Sequence, residues 1–202
     1  MQVAGLIGDV VGSRRVEDRG SLQDDLIGIL DRVSQQSGSR LSVTLGDEFQ
    51  GRFPSVAEAL TASWRLHLGT VGAARLRIGI GWGEVLVESE EGSQFGQDGP
   101  AWWRARDAIE QVDLSHPTRT VVLTETGWDE LLNAYLTLRD SHLETLDEAD
   151  AAIVSALAGD ETQRSVARRL GLHESSVSRR VSRRHLAVLA RNASLHLPDF
   201  HG

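Results

Sequence analysis

Asp9 and Asp47 each close a run that otherwise reads as buried strand, "LIGDVVGSRR" over residues 6–15 and "VTLGDEFQG" over residues 43–51. If the two runs are neighbours in one sheet, both carboxylates reach the same end of it, where no apolar reason exists to place them. Two anionic groups brought close repel unless a cation lies between them. A hard divalent ion suits that place, because Mg²⁺ takes one or two protein carboxylates and completes its shell with water and phosphate oxygens. Asp9 and Asp47, with the main-chain carbonyl of Val10, are therefore the expected ligands of Mg²⁺ or Mn²⁺. Gly8, Gly12 and Gly46 leave room for a phosphate, and Ser13 can hydrogen-bond one. Glu48 reads as a solvated turn residue.

The surrounding pattern supplies the elements that must position these groups. Residues 2–10 read as a buried strand, and "SLQDDLIGILDRVSQQSG" repeats apolar residues at helical spacing behind Ser21 as N-cap. "RLSVTLGDEFQGRF" resembles a tight hairpin with the acids at its turn. "SVAEALTASWRLHLG" returns to a helical period, and "ARLRIGIGWGEVLV" alternates as a half-buried strand does. "ESEEGSQFGQDG", residues 88–99, reads as an exposed loop; "PAWWRARDAIEQV", "RTVVLT" and "TGWDELLNAYLTL" read as helix, strand and helix. The order strand, helix, hairpin, helix, strand, helix, strand, helix predicts an α+β sandwich with helices packed on one sheet. The polar stretch Arg139 to Asp150 reads as a connecting segment, dividing the chain into units 1–140 and 141–202.

Composition narrows the classes. The chain has 202 residues, 40% hydrophobic and 25% charged, as in a soluble globular protein, and no apolar stretch nears the roughly 20 residues a bilayer span needs. A cytoplasmic location, without membrane contact, is the expectation. The absence of cysteine excludes disulfides, zinc-thiolate sites and thiol nucleophiles. The seven histidines lack ligand spacing and read as bland. Trp64 and Trp128 sit at helical spacing with apolar partners and read as core, as do Trp82, Trp102 and Trp103.

"LIGDVVGS", "VTLGDEFQG" and "RIGIGWGEV", in that order, resemble the three core motifs of class III nucleotidyl cyclase catalytic domains, and "LGDEF" also resembles the signature hairpin of diguanylate cyclases. More closely, "IGDVVGSR", "LGDEFQG", "GIGWGE" and "GPAWWRARDAIE" followed by a helix-turn-helix resemble the SatD family. The cyclase resemblance covers roughly residues 3–112. It implies a palm-like, ferredoxin-like βαββαβ core, a two-metal site on Asp9, Asp47 and the Val10 carbonyl, and a nucleoside triphosphate held at a homodimer interface. Arg106 matches the arginine that stabilises the transition state. Trp102 stands where those cyclases have a ribose-orienting asparagine and could stack on a base, and Val43 stands where purine cyclases read the base with a lysine. The chain has no lysine at all.

Net charge is −8, yet from Asp160 to Arg191 eight arginines face only Asp160, Glu161 and Glu174. That basic block coincides with a trihelical pattern: Ala151–Ala158, Thr162–Leu170 and Glu174 to about Leu186, with Gly171 suited to the left-handed turn between the last two. On the third helix Ser175, Ser176, Ser178, Arg179, Arg180, Arg183 and Arg184 read as exposed, able to meet phosphates and base edges of DNA. "LAVLARNASLHL" could extend that helix. Three readings follow: a regulator with a metal- and nucleotide-binding palm and a DNA-binding helix-turn-helix; an active nucleotidyl cyclase; or a palm serving only as a dimerisation scaffold.

Overall fold

The computed structural model describes residues 1–13, 19–86 and 98–192. Its elements are β1 (Gln2–Val10), α1 (Arg19–Ser37), β2 (Leu41–Leu45), β3 (Glu48–Phe53), α2 (Val56–Gly69), β4 (Leu76–Glu84), α3 (Pro100–Glu110), β5 (Thr120–Leu123), α4 (Asp129–Leu143), α5 (Glu148–Ala158), α6 (Gln163–Arg169), α7 (Glu174–Arg183) and α8 (Leu186–Asn192). The first helix begins two residues before Ser21, so that serine does not cap it. Most of the acidic segment expected as a loop lies outside the described residues.

The five strands lie in the order β2-β3-β1-β4-β5. β1 runs antiparallel to β3 and β4, β2 antiparallel to β3, and β5 parallel to β4. The first four strands with α1 and α2 are thus the ferredoxin-like βαββαβ arrangement expected of a palm, extended by β5. Leu6, Phe49, Phe53, Leu76, Ile78 and Ile80 form the core between the sheet and α1 and α2.

β4 was expected to be half-buried, and the structure buries most of both its faces. Gly79, Gly81 and Gly83 alternate along β4, so all three lie under α3. A Cβ at Gly79 would stand 2.2 Å from the Ala105 carbonyl oxygen, and one at Gly81 would stand 2.3 Å from the Ala101 oxygen. The bare strand lets the helix backbone rest on the sheet, and helices cover both faces.

β5 is an edge strand, and α4 closes it with side chains. Asp140 accepts from the Thr120 amide at 2.9 Å, Asn133 both accepts from and donates to Val122 at 2.8 Å, and Asp129 accepts from the Thr124 amide. Three residues on one helix thereby replace the missing strand. To present Asp140, α4 runs on to Leu143. Arg139 and Asp140, expected in a linker or short connecting helix, lie in α4 and are buried at 4% and 0% exposure. The division expected at residue 140 falls inside this helix.

Arg139 donates to Asp140 at 2.9 Å, to Ser63 at 3.2 Å and to Thr120 at 2.8 Å, and its guanidinium lies 5.6 Å from the Trp64 ring. His67, fully buried, shares the Thr120 hydroxyl through Nε2 at 2.8 Å. This histidine is a member of a buried polar network, not a bland one. The helices after α4 build a cluster of their own that α2 joins: Trp64 and Leu68 pack with Leu143, Ile153, Val154, Val177, Leu186 and Leu189. At Arg184–His185 the chain breaks, with His185 at φ +53°, so α8 is a new helix and not an extension of α7.

Burial, and then the neighbouring Arg139, Arg119 and Arg75 charges, hold the His67 pKa well below its ordinary 6.5. The folded protein therefore keeps this imidazole neutral while the unfolded chain protonates it, and stability falls as pH drops through 6.5. Between pH 7 and 5, urea denaturation should show a loss of up to about 1.4 kcal/mol per pH unit from this proton. His67→Gln should flatten that part of the profile.

Candidate functional site

β1 turns Gly5, Ile7 and Asp9 toward the face that α3 covers, and the antiparallel register sets Asp9 opposite Arg77. Arg77 Nε donates to both carboxylate oxygens at 2.7 and 2.9 Å, and Nη2 donates to Oδ2 at 2.7 Å. Such a fork is a strong, charge-assisted contact. The hydrogen bond to Asp9 is the largest cause raising the Arg77 pKa, with the Asp9, Asp47 and Glu110 charges adding to it. The cation against Asp9 is therefore an arginine supplied by the protein itself.

Gly46, at φ +64°, and Asp47 make the tight turn between β2 and β3. Asp47 lines one cleft of about 520 Å³ with Asp9, Val10, Gly12, Ser13 and Arg77. A second hollow of about 250 Å³ continues past Val10, Ser13, Gly46 and Asp47 toward Leu22 and Leu26 of α1. The structure thus brings together Asp9, Val10, Gly12, Ser13, Gly46 and Asp47. Ser13 is 6% exposed and Gly12, at φ +74°, lets the chain turn out of β1.

Other expected members go elsewhere. Gly8 makes room for a ring and not for a phosphate: a Cβ there would stand 2.3 Å from Phe49 Cζ. Trp102 packs with Ile7, Ala105 and Ile109 beneath α3 and is 6% exposed, so it offers no face to a base. Arg106 donates to Glu48 at 2.9 and 3.3 Å and does not line the cleft; this pairing is the main reason its pKa is raised. Glu48, expected to be solvated, is its partner. Trp103 and Trp128, expected in the core, are 52% and 50% exposed.

The donor set is one of hard oxygens. Among the described residues no group of three or more His, Asp and Glu could hold a metal ion by itself. Two carboxylates and a main-chain carbonyl nevertheless suit Mg²⁺ or Mn²⁺ that draws further ligands from phosphate. Arg77 makes three hydrogen bonds to Asp9, and a carboxylate carries about four lone-pair sites. One site on Oδ1 stays open, so the fork orients Asp9 without excluding it as a ligand.

At the other end of the molecule, the arginine-rich segment divides into paired and unpaired groups. Arg180 Nη1 donates to Asp147 and Asp150 at 2.7 Å, and Arg184 meets Asp150 at 3.0 Å. Arg164 pairs with Glu174 at 3.2 Å and Arg169 with Glu161 at 3.1 Å. Arg180 and Arg184 therefore clamp α7 to the start of α5; Arg184, expected to be exposed, is so, and Arg180 is half-buried. Arg168, Arg179 and Arg183 are exposed, and no partner is found for them among the described residues. Ser175 and Ser178 are exposed beside them and Ser176 is half-buried, while Ser175 is hydrogen-bonded to His173, which caps α7.

A family model described as SatD family matches residues 3–196. The chain belongs to the SatD family. No curated protein matches this SatD-family chain. Among solved structures it is similar to a bacterial light-regulated adenylyl cyclase, with 17% identity and a TM-score of 0.47, covering 60% of this chain and 43% of that one. The guanylate cyclase domain of RhGC from Catenaria anguillulae, in complex with GTP, shows 15% identity and a TM-score of 0.47, covering 60% of this chain and 77% of that one. An adenylate/guanylate cyclase/hydrolase from Silicibacter pomeroyi shows 22% identity and a TM-score of 0.45, covering 56% and 71%. The SatD-family chain spans less than half of the first of these. No helix among its described residues is long and apolar enough to cross a membrane.

Sequence reasoning missed Arg77, because only strand register sets it beside Asp9. A double-mutant cycle of Asp9→Asn and Arg77→Met, read by urea unfolding, should give a coupling of about 1 kcal/mol, the upper end for a partly exposed pair. Additive single effects would show that the fork contributes nothing.

Proposed function

We propose that the cleft at the end of β1 binds a divalent ion together with the polyphosphate of a nucleotide, and that the helix-turn-helix formed by α6 and α7 binds DNA in a homodimeric regulator. The observation that carries the first part is the convergence of Asp9, Asp47 and the buried Ser13 on one cleft. Asp9 and Asp47 hold the ion, Arg77 keeps Asp9 oriented, and Ser13 donates to a phosphate oxygen. Gly12 and Gly46 give the backbone its two tight turns at the cleft's rim. When bound, the ion neutralises phosphate charge and makes a ribose hydroxyl more acidic.

Titration calorimetry with ATP, GTP, CTP and UTP, with and without Mg²⁺ or Mn²⁺, tests this. Metal-dependent binding is expected, at least tenfold weaker in Asp47→Asn. Cyclic product in the same mixtures would convert the reading to an active nucleotidyl cyclase. Absence of metal-dependent binding would reject the ligand site and leave the palm as a dimerisation scaffold.

A separate observation supports DNA as a partner: Arg168, Arg179 and Arg183 stand unpaired and exposed among the described residues, on and beside a helix whose other arginine, Arg180, is held by Asp147 and Asp150. Guanidinium groups free of carboxylates are available to phosphates. In anisotropy titrations with duplex DNA at increasing salt, Arg179→Ala and Arg183→Ala should each lower the salt slope by about 1. Arg180→Ala should destabilise α7 and leave the slope per bound protein unchanged. Wild-type affinity in the first two variants would reject the assignment.

A further inference from the structure

A cleft of about 760 Å³, away from both surfaces discussed above, runs between α1 and α2 on one side and α5 and α6 on the other. Helical spacing lines it from each side: Arg32 and Gln36 of α1, Arg65 and Leu68 of α2, and Ala151 and Ser155 of α5. Its floor is apolar, continuous with the cluster that joins α2 to the C-terminal helices through Leu68 and Ala151.

The charges in its walls are uneven. Arg169 is satisfied by Glu161 at 3.1 Å. Arg65 is half-buried and Arg32 exposed, and neither has an ion pair or hydrogen-bond partner among the described residues. Burial alone lowers the Arg65 pKa, with no nearby charge offsetting it. A desolvated guanidinium without an acceptor costs free energy that a bound anion would recover. Glu148 also lines the cleft but is not salt-bridged to these arginines; its carboxylate lies over Gly72, where a Cβ would stand 2.4 Å from Oε1.

We propose that this cleft is a binding site for a small organic anion, an apolar body seated on Leu68 and Ala151 with a phosphate or carboxylate head held by Arg65 and Arg32. A planar guanidinium fork matches either head. The ligand would touch together α2, which packs on the sheet, and α5, which belongs to the C-terminal cluster. The inference does not rest on the metal and nucleotide reading of the palm.

The test is thermal unfolding and calorimetry of the full chain with inorganic phosphate, phenyl phosphate and benzoate, each against NaCl at equal ionic strength. Phenyl phosphate or benzoate should raise the melting temperature and bind more tightly than inorganic phosphate, and the stronger of the two names the head group. Arg65→Met and Arg32→Met should each weaken that binding at least tenfold, while Asp47→Asn leaves it unchanged. Arg65→Met should lose little stability without ligand, since the half-buried Arg65 has no ion pair or hydrogen bond among the described residues to lose. Should it fail to fold, the exposed Arg32 variant still decides. The proposal is overturned if none of the three probes does more than NaCl, if both arginine variants bind as wild type, or if Asp47→Asn abolishes the effect.

Discussion

Direct contact between the α3 backbone and the bare face of β4 is the constraint on which the palm's polar end depends. Gly79, Gly81 and Gly83 remove the side chains that would hold helix and sheet apart. The helix then lies low enough for Ile109 and Trp102 to cover Ile7, and for Arg106 to reach Glu48 across the sheet. Arg77 lies on the same face of β4, two positions before Gly79, and spans to Asp9 on the neighbouring strand. The strand that packs most closely thus ends in the pair that orients the candidate site.

A second constraint joins the sheet to the C-terminal helices. The outward N–H groups of β5 need acceptors, and α4 supplies them from Asp129, Asn133 and Asp140. Burying Asp140 requires a cation, which Arg139 provides, and Arg139 in turn engages Ser63 of α2. The same logic recurs after α4. Asp147 and Asp150 form a capping box on α5, and Asp150, fully buried, takes Arg180 and Arg184 from the end of α7. Carboxylate–guanidinium contacts, which are directional, thus tie α7 to the start of α5, while α2 meets these helices through the apolar cluster of Trp64 and Leu68.

Much of the fold was legible in local pattern. Strand alternation, helical periods and the Gly46-Asp47 turn place β1 to β4 and α1 to α3 nearly where they lie, because each of these signals depends on residues a few positions apart. The errors share a different origin. Trp128 is exposed although its spacing suits a core, Gly8 serves Phe49 from another strand, and Arg139 looks like a linker residue until β5 is known to need capping. Each depends on a neighbour far along the chain.

The candidate site divides the same way. By itself the sequence determined that two carboxylates would end strands beside glycine-bearing turns, that a serine would sit near them, and that an arginine-rich helical segment would follow. Residue type and short spacing suffice for that. Only the tertiary structure decided that Arg77 faces Asp9, that Arg180 and Arg184 are bound to Asp150, and that, among the described residues, Arg179 and Arg183 have no partner and the half-buried Arg65 no acceptor. The physical reason is that a charge's role is set by what stands within about 4 Å of it. Strand register and helix packing choose those neighbours, and neither is written in any short stretch of chain.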